Sequence, residues 1–102
     1  MANKAKKSLL PEKLKQIRES AGLPQRKIAA ALDIDTATYS KMENGKIMPN
    51  KDQIILIAKT LKVNDSELLE MWMAERIVAI AQSDIDIAPA AIKLVGETLN
   101  ID

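Results

Sequence analysis

Residues 25–45 read QRKIAAALDIDTATYSKMENG, and their spacing decides the fold. Apolar side chains fall at Ile28, Ala29, Leu32 and Ile34, and again at Tyr39 and Met42. Each half therefore buries one narrow stripe and leaves the rest polar, as two short amphipathic helices would. The first helix runs to about Leu32, and Asp33, Ile34 and Asp35 make the turn. Asp35 is placed to cap the second helix, which ends at Asn44 and Gly45. The outward side of that second helix carries Thr36, Thr38, Ser40, Lys41 and Asn44, all able to hydrogen-bond to a partner.

Outward from this hairpin, the pattern is helical on both sides. Upstream, Leu10, Leu14 and Ile17 recur at i, i+4 and i+7, with Ser8 a candidate cap and Pro11 tolerated in the first turn. Gly22 supplies the left-handed residue that ends this helix. Pro24 presets the entry to the next helix but offers no side-chain cap, so the free N–H groups around Gln25 can serve a phosphate. Residues 1–8, MANKAKKS, carry three lysines and no apolar periodicity. They read as a flexible basic arm, either simply disordered or laid along a DNA groove.

Downstream, residues 46–50 form a connecting loop bounded by Pro49. A fourth helix over about residues 50–62 buries Ile54, Ile57, Ala58 and Leu61, with Leu56 off that stripe. Asn64 with Glu67 reads as a capping box for a fifth helix. Between residues 68 and 81 only Glu70, Glu75 and Arg76 are charged, so the helix is apolar nearly all round, and one core-facing stripe does not account for it. The stretch SDIDI at residues 83–87 breaks the pattern, and Pro89 opens a last helix with Ile92, Val95 and Leu99 on one face. Gly96 inside it permits close approach of another helix, at a stability cost of about 1 kcal/mol relative to Ala.

A chain of 102 residues with 47% apolar content holds one core rather than two independent domains. It contains neither Cys nor His, which removes disulfides, thiolate nucleophiles, imidazole bases and the usual zinc or haem ligands. No Gly-rich phosphate loop and no acid/base pair appear, so the expectation is no enzyme, no metal, no cofactor and no small-molecule ligand. No apolar run reaches the ~20 residues of a membrane span, and a cytoplasmic, nucleoid-associated protein of a bacterium or phage is the simplest reading. Residues 1–46 carry 10 Lys/Arg against 5 Asp/Glu and residues 47–102 carry 5 against 9, so the net +1 conceals +5 and −4. Positive potential is concentrated on the half that holds the hairpin, as phosphate attraction requires.

The spacing of Ile28, Ala29, Leu32, Ile34, Tyr39 and Met42 resembles the helix-turn-helix of Cro and phage-repressor regulators. The resemblance extends through Leu14, Ile17, Arg18, Gly22, Leu23 and Gln25, then Met42-Glu43-Asn44-Gly45-Lys46, Pro49, Ile57, Ala58, Leu61, Val63 and Leu68-Leu69, which together are similar to the xenobiotic-response-element (XRE) family. The resemblance implies a second helix laid in the major groove of double-stranded DNA. It places Thr36, Ala37, Thr38 and Lys41 toward base edges, and Gln25, Arg26, Ser40, Asn44 and Lys46 toward the backbone. It also implies a structural salt bridge between Arg18 and Glu43. Three departures stand out: Asp33 where the family has Gly, Tyr39 where an aliphatic is commoner, and Pro24 in place of a Ser/Thr cap. Without Gln, Asn or Arg at Thr36 and Ala37, the bidentate base contacts are missing there.

The expected architecture is all-α: a basic arm over 1–8, a compact five-helix repressor-like DNA-binding domain over 9–70, and a C-terminal helical extension over 71–102. Leu56, Met71, Trp72, Ile92, Val95 and Leu99 form the expected homodimer interface, with Trp72 as its anchor; the alternative is a last helix that folds back over helix five in a monomer. The expected function is a transcriptional regulator, as a repressor or autoregulator on a palindromic operator. Activation would require a contact with RNA polymerase through the exposed end of helix three. The system could be a phage repressor, a restriction-modification controller or an antitoxin. The reading from another class is a protein–protein interaction module that keeps the helix-turn-helix scaffold.

Overall fold

The apolar spacing sorts into six helices in the computed structural model, which describes residues 9–101. They are α1 (Leu9–Ser20), α2 (Gln25–Leu32), α3 (Thr36–Glu43), α4 (Lys51–Leu61), α5 (Ser66–Ser83) and α6 (Ala88–Leu99). No strand occurs among the described residues, and the fold is all-α. The basic arm and the Ser8 cap lie outside the described residues. No described helix is long and apolar enough to cross a membrane.

The stripes predicted by spacing converge on one core. Leu10 and Leu14 of α1, Ile28 and Leu32 of α2, Tyr39 and Met42 of α3, Ile54, Ile57 and Leu61 of α4, and Leu68 of α5 are buried together. Each fully buried aliphatic of this kind contributes about 1.5–3 kcal/mol relative to exposure. Helix α2 packs on α3 and α4, α1 on α3 and α5, and α4 on α5. The hairpin is thus supported from behind along its whole length.

Arg18 and Glu43 bind the first helix to the third. Arg18 Nε donates to Glu43 Oε2 at 2.6 Å and its Nη2 donates to Oε1 at 3.0 Å. The remaining Nη1 donates to the Leu23 carbonyl at 2.8 Å, and Gln25 Nε2 donates to Glu43 Oε1 at 3.0 Å. One network therefore joins α1, the following loop, the first residue of α2 and the last residue of α3. The Glu43 side chain is only 1% exposed. Burial alone would push its carboxyl up, but the hydrogen bonds from Arg18 and Gln25 outweigh that and hold it below its ordinary value of 4.5.

Helix ends follow local chemistry, with two corrections. Asp33 closes α2 in the left-handed region at φ 59°, a conformation Asp adopts more readily than most residues. Asp35 caps α3 by accepting the Thr38 N–H at 2.7 Å. The capping box expected at Asn64 and Glu67 does not form. Asn64 Oδ1 instead takes the Ser66 N–H at 2.7 Å, and Glu67 lies 3.6 Å from Lys13, so Asp65 becomes the α5 cap residue without a side-chain bond. The real capping box is Asn50 with Gln53, reciprocal at 2.9 and 2.8 Å. Gly96 also differs from expectation: a Cβ there would lie 3.0 Å from the Ile101 carbonyl. Its close neighbour is the returning end of α6 rather than another helix.

Helix α5 shows why its apolar stretch is broken where it is. The Glu75 carboxylate reaches back to accept the backbone N–H of Leu10, closing the exposed start of α1 as a cap supplied from another helix. The Arg76 guanidinium lies 4.5 Å over the Trp72 ring, and the Trp72 indole N–H donates to the Pro49 carbonyl at 2.8 Å. Beyond this point α5 leaves the core, and α6 has only Ala88 buried.

Three outcomes follow from these contacts. Lys62 closes α4 at φ 59°, where a non-Gly residue costs roughly 1–2 kcal/mol. Lys62→Gly should gain about 0.5–1 kcal/mol after the larger unfolded-state entropy of Gly is subtracted, and raise the melting temperature by a few degrees. Arg18→Met leaves the Glu43 carboxylate buried without its cation and should cost about 3–5 kcal/mol in urea unfolding followed by Trp72 fluorescence. Because the folded Glu43 carboxyl titrates below its unfolded counterpart, its stabilisation is present above the unfolded value and is lost as pH falls through the folded one. Glu43→Gln should therefore lose less stability than the parent between about pH 5 and pH 3, measured by the same unfolding curve.

Candidate nucleic-acid interface

Successive α3 residues are turned by about 100° around the axis, so burial of Tyr39, Met42 and Glu43 fixes what faces outward. Ala37, Lys41 and Asn44 run down the middle of the exposed side. Thr36 and Ser40 lie on one flank, and Thr38 on the other. Thr36, Ala37, Lys41 and Asn44 are exposed, while Thr38 and Ser40 are half-buried. The Thr38 backbone N–H is already committed to Asp35.

The neighbouring elements add cations and a preset amide. Arg26 at the start of α2 and Lys46 after α3 are exposed. The Lys46 N–H donates to the Lys41 carbonyl at 2.8 Å, which folds the loop against the end of α3 and keeps Lys46 near Lys41. Pro24 precedes α2 without a side-chain cap. Gln25 is half-buried and its amide nitrogen is held by Glu43. The same carboxylate that receives Arg18 thus orients Gln25 between α2 and α3, a link that sequence spacing did not reveal. Asp35 stays charged: the hydrogen bonds from Thr38 come first in lowering its carboxyl, and the Lys41 charge assists.

One polar group in the hairpin is left without a partner. The Tyr39 hydroxyl is buried and makes no well-formed hydrogen bond among the described residues. Burial, then the adjacent Glu43 carboxylate, pushes its ionisation up, so it is a neutral core group.

The residues expected to pair two copies divide into two sets. Met71 and Trp72 are partly buried against the chain's own core, and Trp72 is tied to Pro49 and covered by Arg76. Leu56 is 41% exposed on α4. Ile92, Val95 and Leu99 of α6 are exposed, as are Ile77, Val78 and Ile80 of α5. The last helix does not fold back over α5. Among the described residues, no group of three or more His, Cys, Asp or Glu side chains is placed to hold a metal ion.

Comparison with known proteins agrees with this geometry. Residues 14–68 match the helix-turn-helix family, which is more than half of the chain and takes in α1 through the start of α5. The chain is 33% identical over 73 residues to the HTH-type transcriptional activator BcrR of Enterococcus faecalis, an alignment that covers 72% of this chain and 34% of that protein. It therefore spans about a third of that relative's length. No solved structure matches it. The matched segment begins at Leu14 and ends at Leu68, both core residues of the helices that brace the hairpin, and the chain belongs to the XRE-type helix-turn-helix family.

Proposed function

We propose that the chain is a sequence-specific DNA-binding transcription regulator, and that it represses or autoregulates as a homodimer on a palindromic operator. The observation that carries this reading is the exposed side of α3. Ala37, Lys41 and Asn44 face outward on a helix whose opposite side is clamped by the Arg18–Glu43 network, with Arg26 and Lys46 beside it. A rigid helix with an outward polar strip and flanking cations suits a major groove.

In this reading Thr36, Ala37, Thr38 and Lys41 meet base edges. Thr36 and Thr38 offer a methyl to thymine or a hydroxyl to a base, Ala37 a methyl, and Lys41 a cation for guanine acceptors. Gln25, Arg26, Ser40, Asn44 and Lys46 hold the backbone, with the uncapped start of α2 adding N–H donors. Residues 9–70 form the DNA-binding domain and 71–102 the dimerising extension, and the protein works in the cytoplasm on the nucleoid. Repression needs only occupancy of a promoter. A second reading, activation through a polymerase contact at the exposed end of α3, is favoured by the activator named among the chain's relatives.

Selection of bound fragments from random DNA should return a two-fold symmetric site. Affinity for that site should fall steeply with salt, by a log–log slope of about 0.9 per phosphate neutralised. Lys41→Ala should flatten the preference for the selected site over random DNA. Arg26→Ala should weaken both alike and reduce the salt slope by about 1. No binding at low salt would sink the regulator reading in favour of a protein-binding module, and equal effects of the two substitutions would overturn the division between base and backbone contacts.

A further inference from the structure

Thr36 and Ala37, the first residues of α3, lack the amide or guanidinium groups that read a base with two hydrogen bonds. The residue before them carries a carboxylate. Asp35 stands at the N-cap of α3 in extended backbone, φ −81° and ψ 162°, and it is exposed. Capping occupies one of its two oxygens, since Oδ1 accepts the Thr38 N–H at 2.7 Å. Among the described residues Oδ2 accepts no hydrogen bond, and the ion pairs join other residues, Lys13 to Glu67 and Arg18 to Glu43. The cap holds this second oxygen in place: turning the carboxylate away would leave the Thr38 N–H unpaired. It does so at the end of α3 that a helix-turn-helix lays against base edges.

A fixed anion in the major groove selects by repulsion as well as attraction. Purine N7, guanine O6 and thymine O4 are acceptors and repel it, whereas the amino groups of cytosine (N4) and adenine (N6) donate. Adenine N6 stands beside its own N7, but cytosine presents no acceptor of its own in that groove. Cytosine is therefore the base that best suits a single carboxylate oxygen. Lys41, whose positive charge lies close enough to help keep Asp35 ionised, has the opposite preference, because guanine offers it O6 and N7. One anion and one cation on the same reading surface thus divide the groove's donors and acceptors between them.

We propose that Asp35 reads a base as well as capping α3, its free Oδ2 accepting from the N4 amino group of a cytosine in each half-site. This rests on the reading of the chain as a DNA-binding regulator and deepens it by adding a specificity determinant outside the Thr36, Ala37, Thr38 and Lys41 set. The carboxylate repels phosphates and so lowers affinity for DNA in general. It returns that loss only where an amino group meets it, so its effect falls on discrimination rather than on strength.

Substitutions that preserve the cap separate reading from capping, since Asp, Asn and Ser cap a helix about equally well. Asp35→Ser removes the anion. Asp35→Asn keeps the shape and, with its oxygen on the Thr38 N–H, turns an NH2 donor toward the base. Fragments selected from random DNA by the parent chain should carry cytosine at one pair of each half-site. Asp35→Ser should relax the preference at that pair by roughly five- to tenfold, leave the other pairs unchanged and raise affinity for random DNA. Asp35→Asn should exchange cytosine there for guanine or thymine, whose O6 and O4 accept. As a control, Asp33→Asn removes a neighbouring charge at a φ of 59° that Asn tolerates, and should raise affinity for all sequences alike. Retention of every base preference in both Asp35 variants overturns the proposal and leaves Asp35 a cap alone. A shift at the same pair in Asp33→Asn also overturns it, by placing the effect in the general field of the turn. A parent chain that selects no site overturns the regulator reading itself.

Discussion

A carboxylate held out of water at Glu43 must find a cation, and Arg18 is the one supplied. Burying either charge alone would cost several kcal/mol, so the pair exists only where α1 and α3 approach at one distance and one angle. The same two side chains also spend their remaining hydrogen-bonding capacity on Leu23 and Gln25. The hairpin is thereby held to α1 at both ends: the start of α2 through Gln25, and the end of α3 through Glu43 itself. Apolar packing alone would permit α3 to slide or roll by small amounts, because leucine and isoleucine contacts are non-directional. The bidentate fork is directional, and it converts a packed helix into a positioned one.

Most of this arrangement was legible because it depends on near neighbours. The helix stripes follow from i, i+3 and i+4 spacing, and the outward exposure of Ala37 and Lys41 follows from burial of Tyr39 and Met42. The Asp33 turn and the Asp35 cap need only residues within the hairpin. The failures share a cause of another kind. Asn64 and Glu67 have the spacing of a capping box, but Asn64 binds Ser66 and Glu67 turns to Lys13, a partner that only the tertiary fold brings near. Asn50 and Gln53 form the box instead, from an equally readable spacing. Glu75 capping Leu10 and Trp72 reaching Pro49 span long stretches of chain, and no local pattern announces either.

Trp72 illustrates how a residue type can mislead about its task. A lone tryptophan in an over-apolar helix reads as an interface anchor, since such side chains dominate binding energies. In the structure its indole N–H satisfies the Pro49 carbonyl while Arg76 covers its face, so much of it serves the loop that leads from α3 into α4. The apolar excess of α5 is real, but it resides further along the helix, at Ile77, Val78 and Ile80. The DNA-facing half and the apolar half of the molecule are therefore joined at α5 rather than divided by a linker. Helix α5 runs without a break from Ser66 to Ser83, through the boundary drawn at residue 70.

That continuity has a mechanical side. The last grips of α5 on the rest of the domain, at Trp72 and Glu75, fall in its middle, and its remaining turns extend outward as a stiff lever of roughly 12 Å at 1.5 Å per residue. Two copies joined near the tips of such levers would hold their α3 helices at a fixed pitch, with no slack to absorb a change in operator spacing. One inserted base pair rotates a half-site by about 34–36° around the DNA axis. Torsion of that size would fall on the duplex, and the twisting stiffness of the spacer DNA would become part of what the protein reads.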